Sequence, residues 1–312
     1  MKIGLDVMGG DFAPAEAVKG VLELLNAPDL VDVQLTLFGD EAQIKEHLNG
    51  HQLPANYRIV HTEESIGMAE HPTKAISQKR QSTISLGLKM LAEGELDAFT
   101  GAGNTGAMMV GALYTVKAID GVLRPSLTTL VPKIDGSTGL MLDVGANADV
   151  KPDVLVQFAV LGSLYAQHVL GIASPKVGLL SIGEEKEKGN LLNQAVYPVL
   201  EEKRNINFIG NIEGRDLFSD KADVIVCDGF TGNVVLKEAE AFYSIMRRRG
   251  LVDDYFSRFN YEEYGGTPIL GINSTVMIGH GISSPEAIKN MMLLTGEIAA
   301  ARLPEKIMQA FQ

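Results

Sequence analysis

Apolar strand-like runs that end in a small-residue loop and hand over to an amphipathic helix recur along this chain, and that repetition limits the fold more than any other feature. KIGLDV precedes a helix from about Pro14, where proline suits a first helical turn and Val18, Val21, Leu22 and Leu25 recur at helical spacing. VQLTLFG leads into DEAQIKEHL, YRIVHT into a long helix over about 73–92, LDAFT into AMMVGALYTV, and KVGLLSIG into NLLNQAVYPVLEE, with INFIG and DVIVCDG in the same style. Such alternation predicts an α/β fold, a mainly parallel sheet covered by helices on both faces as a three-layer αβα sandwich. One stretch departs from it: SLTTLVPKIDGSTGLMLDVG holds two β-rich runs joined by Asp135-Gly136, the signal of an antiparallel hairpin. The final helix starts at Ser284 as N-cap and Pro285 in the first turn, with Ile288, Met291, Met292 and Ile298 as its core stripe. With 312 residues, 46% of them hydrophobic, and no repeat or linker, the chain reads as one α/β catalytic domain over 1–312.

Charge and cysteine content narrow the function. A formal net charge of -12 leaves too few clustered cations to neutralise a nucleic-acid backbone. The lone cysteine, Cys227, forms no internal disulfide and fits a reducing cytosol. MKIGLDVMGG reads as the start of a strand rather than a signal peptide, and no apolar run approaches the roughly 18 residues of a membrane span.

The loops where strands should end are where chemistry is expected: DVMGGD, TGAGNTGAMM, LDVGANAD, SIGEEKEKGN, CDGFTGN, EYGGTP and GHGISS. In doubly wound sheets a ligand lies beyond the carboxyl ends of the strands, where glycine admits close backbone approach and following helices aim free N–H groups at an anion. GAGNTG satisfies G-x-G-x-x-G with Gly101, Gly103 and Gly106, but RPSLTTL stands where a dinucleotide site would want its ribose-binding acid. It reads instead as a phosphate nest, with Asn104 and Thr105 adding side-chain donors. In DGFTGN, Asp228 closes a strand, Gly229 and Gly232 free the backbone, and Thr231 and Asn233 point into the cleft; the Asn233 amide is either an oxyanion donor or a helix N-cap. Lys188 is either a phosphate-pairing cation ahead of a helix or a solvated surface lysine. Cys227 reads as a buried thiol, no G-x-S-x-G elbow is present, and His280 is a cleft base or a loop cap. Asp6, Asp11, Asp143 and Asp228 have the spacing of strand-end acids bonding to loop amides, which is preferred over a metal site.

At these residues the chain resembles the PlsX-type phosphate acyltransferases of bacterial phospholipid synthesis. The similarity runs from LDVMGGDFAP through GAGNTGA, LDVGAN, KPDVLVQFAVLGSLYA, INFIGNIEGRDL, DGFTGNVVLK and YGGTPILGIN to GHGISS, almost the full length. The resemblance implies a homodimeric fold akin to phosphotransacetylases and isocitrate dehydrogenases. It also implies transfer of a fatty acyl group from acyl carrier protein to inorganic phosphate in the cytoplasm, with no metal or organic cofactor. Carried over residue by residue, the family's catalytic pair falls on Lys188 and Asn233. The cleft would be lined by Asp6, Gly9, Gly10, Asp11, Gly103 to Gly106, Asp143, Asn147, Asp228, Gly229, Thr231, Gly232 and His280. One departure concerns the helical excursion linked to dimer and peripheral membrane contacts, here shortened over about 240–263 with RGLVDDYFSRFNYEE in its place.

Acyl carrier proteins are acidic, so basic patches should meet them. Lys74, Lys79 and Arg80 form the preferred docking cluster, because Arg247, Arg248 and Arg249 stand where cations complement a helix C-terminus. The alternatives are a phosphotransacetylase-like enzyme using acyl-CoA, a dehydrogenase of the related fold, and a non-catalytic lipid-synthesis scaffold.

Overall fold

The computed structural model describes residues 1–26 and 33–312. Its strands are β1 (Lys2–Asp6), β2 (Gln34–Gly39), β3 (Tyr57–His61), β4 (Ala98–Gly101), β5 (Ser126–Pro132), β6 (Thr138–Leu142), β7 (Lys176–Leu180), β8 (Asn207–Ile212), β9 (Val224–Val226), β10 (Gly266–Leu270) and β11 (Thr275–Gly279). The α-helices are α1 (Ala15–Leu25), α2 (Glu41–Leu48), α3 (Pro72–Gln78), α4 (Thr83–Ala92), α5 (Thr105–Gly111), α6 (Pro152–His168), α7 (Leu191–Glu202), α8 (Gly229–Arg248), α9 (Asp254–Ser257), α10 (Tyr261–Tyr264), α11 (Pro285–Ala300) and α12 (Leu303–Phe311). The residues form two compact units, Met1–Ala118 with Tyr261–Pro304 and Ile119–Asn260 with Glu305–Gln312. The expected α/β class, mainly parallel with an antiparallel segment, is what the strands adopt.

In the first unit the strand order is β3-β2-β1-β4-β11-β10, parallel except for β10, which runs antiparallel to β11. β1 is flanked on both edges and buries Ile3, Gly4, Leu5 and Asp6, the continuous burial of an interior parallel strand. Phe38 and Phe99 meet edge to face at 5.7 Å, and Gly4 on β1 and Gly87 on α4 leave the room that pair occupies. Leaving β1, the chain pairs β2 on one edge while β4 takes the other. This arrangement is a topological switch point, the place beyond the carboxyl ends of β1 and β4 where doubly wound sheets seat their ligands.

In the second unit the order is β5-β6-β9-β7-β8. β5 and β6 form the hairpin expected at Asp135-Gly136: Gly136 takes φ +89°, and Asp135 Oδ1 accepts from the Ser137 N–H and hydroxyl. The remaining pairs are parallel. α6 packs on β6 and β9, and Gly162 admits the Val224, Leu142 and Leu140 side chains against its backbone. The carboxyl ends of β6, β9 and β7 therefore lie side by side.

The long helix expected over about 73–92 is two helices. Lys79 leaves helical geometry at φ −98°, ψ 67°, and the Ser82 hydroxyl then caps α4 by accepting from Ser85 N–H at 3.3 Å. Ser284 does cap α11, and Ile288, Met291, Met292 and Ile298 are buried as expected. Among the described residues no helix is long and apolar enough to cross a membrane.

Candidate active site

At the switch point of the first unit, the loops after β1 and β4 meet backbone to backbone. A Cβ on Gly9 would lie 2.5 Å from Asp6 Oδ2 and 2.6 Å from the Gly103 nitrogen, so only glycine fits. Gly10, at φ +112°, turns the chain so that Asp11 N–H donates to the Gly281 carbonyl, which brings in the loop that follows β11. His280 sits half-buried at the head of that loop, and its carbonyl accepts from Ser283 N–H. Thr105 is exposed at the start of α5, and Gly106 gives Pro72 room to approach that helix.

Asn104 departs from the expected role. Its Oδ1 caps α5 by accepting from Ala107 N–H, and its amide hydrogens go to the carbonyls of Gly67, Met68 and Glu70 at 3.0 to 3.1 Å. The amide pins the 67–70 loop, and no donor is left for phosphate. The Lys79 ammonium pairs with Glu70 at 2.6 Å and donates to the Ser65 carbonyl, so its charge is matched within the chain, unlike that of a free docking cation. Lys74 and Arg80 stay exposed.

Asp6 is 2% exposed, and burial raises its carboxyl to about 6 although Met8 N–H donates to it. The folded protein holds this proton more tightly than the unfolded chain, whose carboxyl titrates near 3.8. This contribution to stability is therefore present below about pH 4 and lost as the pH rises through about 6, by roughly 3 kcal/mol. Asp6→Asn is expected to abolish that decline. Urea titrations at pH 4.5 and pH 7 check it, and parallel behaviour of variant and parent would dismiss the assignment.

In the second unit the first turns of α7 and α8 open on shared space. Asn190 caps α7 by accepting from Asn193 N–H at 2.9 Å, and Asp228 caps α8 by accepting from the Thr231 N–H and hydroxyl, both at 2.8 Å. Both caps line a cavity of about 340 Å³ together with Ser181, Gly189, Asn193, Cys227 and Thr231. They also line a wider hollow of about 640 Å³ bordered by Ala148, Asp149, Val150, Leu191, Leu192 and Phe230. Leu191 and Leu192 on α7 and Phe230 on α8 are first-turn residues, whose N–H groups have no intrahelical acceptor. Two positive helix ends thus face one hollow. Ile182, Leu191 and Phe230, exposed at 81%, 86% and 66%, give the rim an apolar side.

The β6 loop is built around Asp143. Its fully buried carboxylate accepts from the N–H groups of Leu127, Gly145, Ala146 and Asn147 and from the Asn147 amide, while burial raises its affinity for a proton. Asp6, Asp143 and Asp228 each accept from loop or helix N–H groups, the bonding expected of strand-end acids, whereas Asp11 engages its neighbours through its backbone N–H to the Gly281 carbonyl. Asn233 lies in the second turn of α8, exposed, and its amide donates to the Val144 carbonyl at 3.1 Å. That geometry removes the N-cap alternative, since Asp228 holds the cap, and leaves one amide hydrogen for a ligand.

Gly229 and Gly232 serve clearance rather than ligand binding. Gly229 N–H donates to the Asn147 carbonyl at 2.8 Å, and any Cβ on Gly232 would overlap the Asp143 carbonyl oxygen. Gly232→Ala is expected to displace α8 and cost about 1–3 kcal/mol of stability, with activity falling further than stability because Asn233 is the next residue. A melting curve and turnover both matching the parent would refute this.

Lys188 is exposed, with no carboxylate within ion-pair distance among the described residues, and its stem passes over Gly183. Asn190 of KGN and Asp228 and Thr231 of DGFTGN line both cavities, whereas Lys188, Asn233 and the GAGNTG loop line neither. Sequence reading missed Ser181, Ile182 and Phe230, which carry no pattern of their own. Asn190 did leave a signal, an Asx residue directly ahead of an apolar helix. Cys227 is buried, and burial holds its thiol well above the ordinary range, as befits a core residue.

Residues 1–306 match the family model described as fatty acid synthesis protein. The chain belongs to this family. A phosphate acyltransferase from Desulforamulus reducens is 43% identical, over all of this chain and 98% of its own length. Another, from Bacillus cereus, is 39% identical over 96% of this chain and 95% of its own. A solved branched-chain phosphotransacylase from Enterococcus faecalis aligns at a TM-score of 0.66 with 16% identity, covering 96% of this chain and 99% of that one. That likeness shows the fold, the phosphotransacetylase kind that the resemblance implied.

Proposed function

We propose that this member of the family transfers a long-chain fatty acyl group from acyl carrier protein to inorganic phosphate, releasing acyl phosphate for phospholipid synthesis. The observation that carries the reading is the hollow shared by the first turns of α7 and α8, with Lys188 two residues ahead of the α7 cap. Unpaired N–H groups and a cation suit a phosphate dianion, and they offset the nearby carboxylates of Asp149 and Asp228, the latter engaged by Thr231.

Phosphate is itself the nucleophile in this scheme. One of its oxygens bonds to the thioester carbon, the carbonyl oxygen gathers negative charge, the C–S bond breaks and the sulfur leaves as thiolate. With an ordinary thiol pKa of about 8.5 the thiolate leaves without a strong general acid. The chain then supplies position and charge: Lys188 and the helix ends hold phosphate, and the remaining Asn233 hydrogen receives the oxyanion. The apolar rim of Ile182, Leu191 and Phe230 offers the acyl chain a seat.

Lys74 and Arg80 are the exposed cations that would meet an acidic carrier. The same reading takes the enzyme as a cytoplasmic homodimer working beside the membrane, and the exposed Val234, Phe242 and Ile245 on α8 support a partner surface there.

Incubation with an acyl-carrier thioester, with and without phosphate, followed by hydroxylamine trapping, is expected to give phosphate-dependent acyl hydroxamate. Equal turnover of acyl-CoA would remove the carrier from the reading. No phosphate-dependent product from either thioester would overturn it.

A further inference from the structure

The strand β8 carries an asparagine that the scheme above does not use. Asn211 is 3% exposed and stands in register with Leu179 on β7. Its Nδ2 donates to the Glu185 carbonyl at 2.8 Å, and the same carbonyl accepts Lys188 N–H at 3.0 Å. Gln194 Nε2 of α7 donates to the carbonyls on either side of Lys188, those of Glu187 at 3.0 Å and Gly189 at 3.2 Å. The main chain is thus tied by the Asn211 amide at Glu185 and by the Gln194 amide at both neighbours of Lys188.

Backbone bonding alone does not shape this loop. Between the end of β7 and the α7 cap, the one bond linking two loop residues through main-chain atoms is Lys188 N–H to Glu185. The Asn211 amide reaches across from the neighbouring strand to the acceptor of that bond. β8 ends the strand order of its sheet, yet Asn211 is 3% exposed, a burial that favours an apolar side chain, and its Oδ1 is buried with no hydrogen-bond partner among the described residues. The side-chain hydrogen bond that this buried amide makes goes to the Lys188 loop.

Resting on the phosphate role of Lys188 given above, we propose that Asn211 is a positioning residue. It fixes the backbone from which Lys188 reaches phosphate, and Gln194 closes the bracket from the helix side. A long flexible side chain holds an anion in one place only when its own Cα is held, and small misplacements of such groups are costly to reaction rates.

The test is steady-state kinetics on the full chain with phosphate and acyl thioester varied separately. Asn211→Ala is expected to raise the KM for phosphate about tenfold or more while the thioester KM stays within about twofold. Gln194→Ala, on an exposed helix face, is expected to shift the phosphate KM in the same direction. It decides the matter should Asn211→Ala fail to fold. Equal shifts in both KM values, which a general loosening of the unit would produce, overturn the proposal, as do parental values in both variants. Lys188→Ala is measured alongside. An unchanged phosphate KM there removes Lys188 from phosphate binding and this inference with it, whereas a selective rise in Lys188→Ala with none in Asn211→Ala or Gln194→Ala overturns the bracket alone.

Discussion

Asn233→Ala is expected to lower turnover by about 10²-fold or more, the scale set by loss of one oxyanion donor, with the unfolding midpoint close to that of the parent. The separation of the two effects follows from where the side chain sits. Asn233 is on the exposed second turn of α8, so its truncation opens no core cavity and forfeits only the bond to the Val144 carbonyl. That bond also explains why an amide is needed: one hydrogen orients the group on the β6 loop and the other stays available. Gly145, at φ +135°, keeps the loop close, since a Cβ there would lie 3.0 Å from Asn233 Nδ2. Asn233→Asp is expected to be at least as damaging, because a carboxylate accepts at both positions and repels an oxyanion. Single-turnover rates with thermal melts check both variants, and near-parental turnover in Asn233→Ala would sink the assignment.

Lys133→Met is expected to cost about 3–5 kcal/mol of stability, the largest loss among the variants considered for the scaffold. Lys133 Nζ meets Asp223 Oδ1 at 2.5 Å with the two side chains 4% and 11% exposed, and Asp223 Oδ2 accepts Lys176 N–H at 2.8 Å. The pair joins the end of β5 to the start of β9, and Gly139 on β6 leaves the lysine stem its path. Removing the cation strands a carboxylate away from water, which is why the loss exceeds that of an exposed pair. Lys133→Met/Asp223→Asn is expected to recover most of the deficit, since asparagine removes the charge and still accepts from Lys176. Urea unfolding of the two variants distinguishes this from a packing effect, for which the second substitution would restore nothing.

Much of the fold was legible in the linear pattern. The alternation of apolar runs and amphipathic stretches announced the α/β class, Asp135-Gly136 announced the hairpin, and Ser284-Pro285 announced α11, because each rests on interactions within a few residues. The break at Lys79 was not legible. Helical periodicity continues through residues 73–92, and the interruption is stabilised by Ser65 and Glu70, which bind the Lys79 ammonium from elsewhere in the chain.

The candidate site divides along the same line. Glycine-bearing loops at strand ends, a lysine ahead of a helix and an amide near a helix start are local features that left the roles of Lys188 and Asn233 open, and only the family resemblance joined KGN and DGFTGN as one functional pair. Which donors stay free is decided at a distance. Asn104 and Asn233 look alike as candidate donors in their loops, yet one spends both amide hydrogens on the 67–70 carbonyls and the other spends a single one on Val144. Local order along the chain suffices to choose strands, helices and turns, because their hydrogen bonds close over short spans. The hydrogen-bonding capacity left for a ligand is what remains after partners far apart in sequence have taken their share, and packing alone brings those partners together.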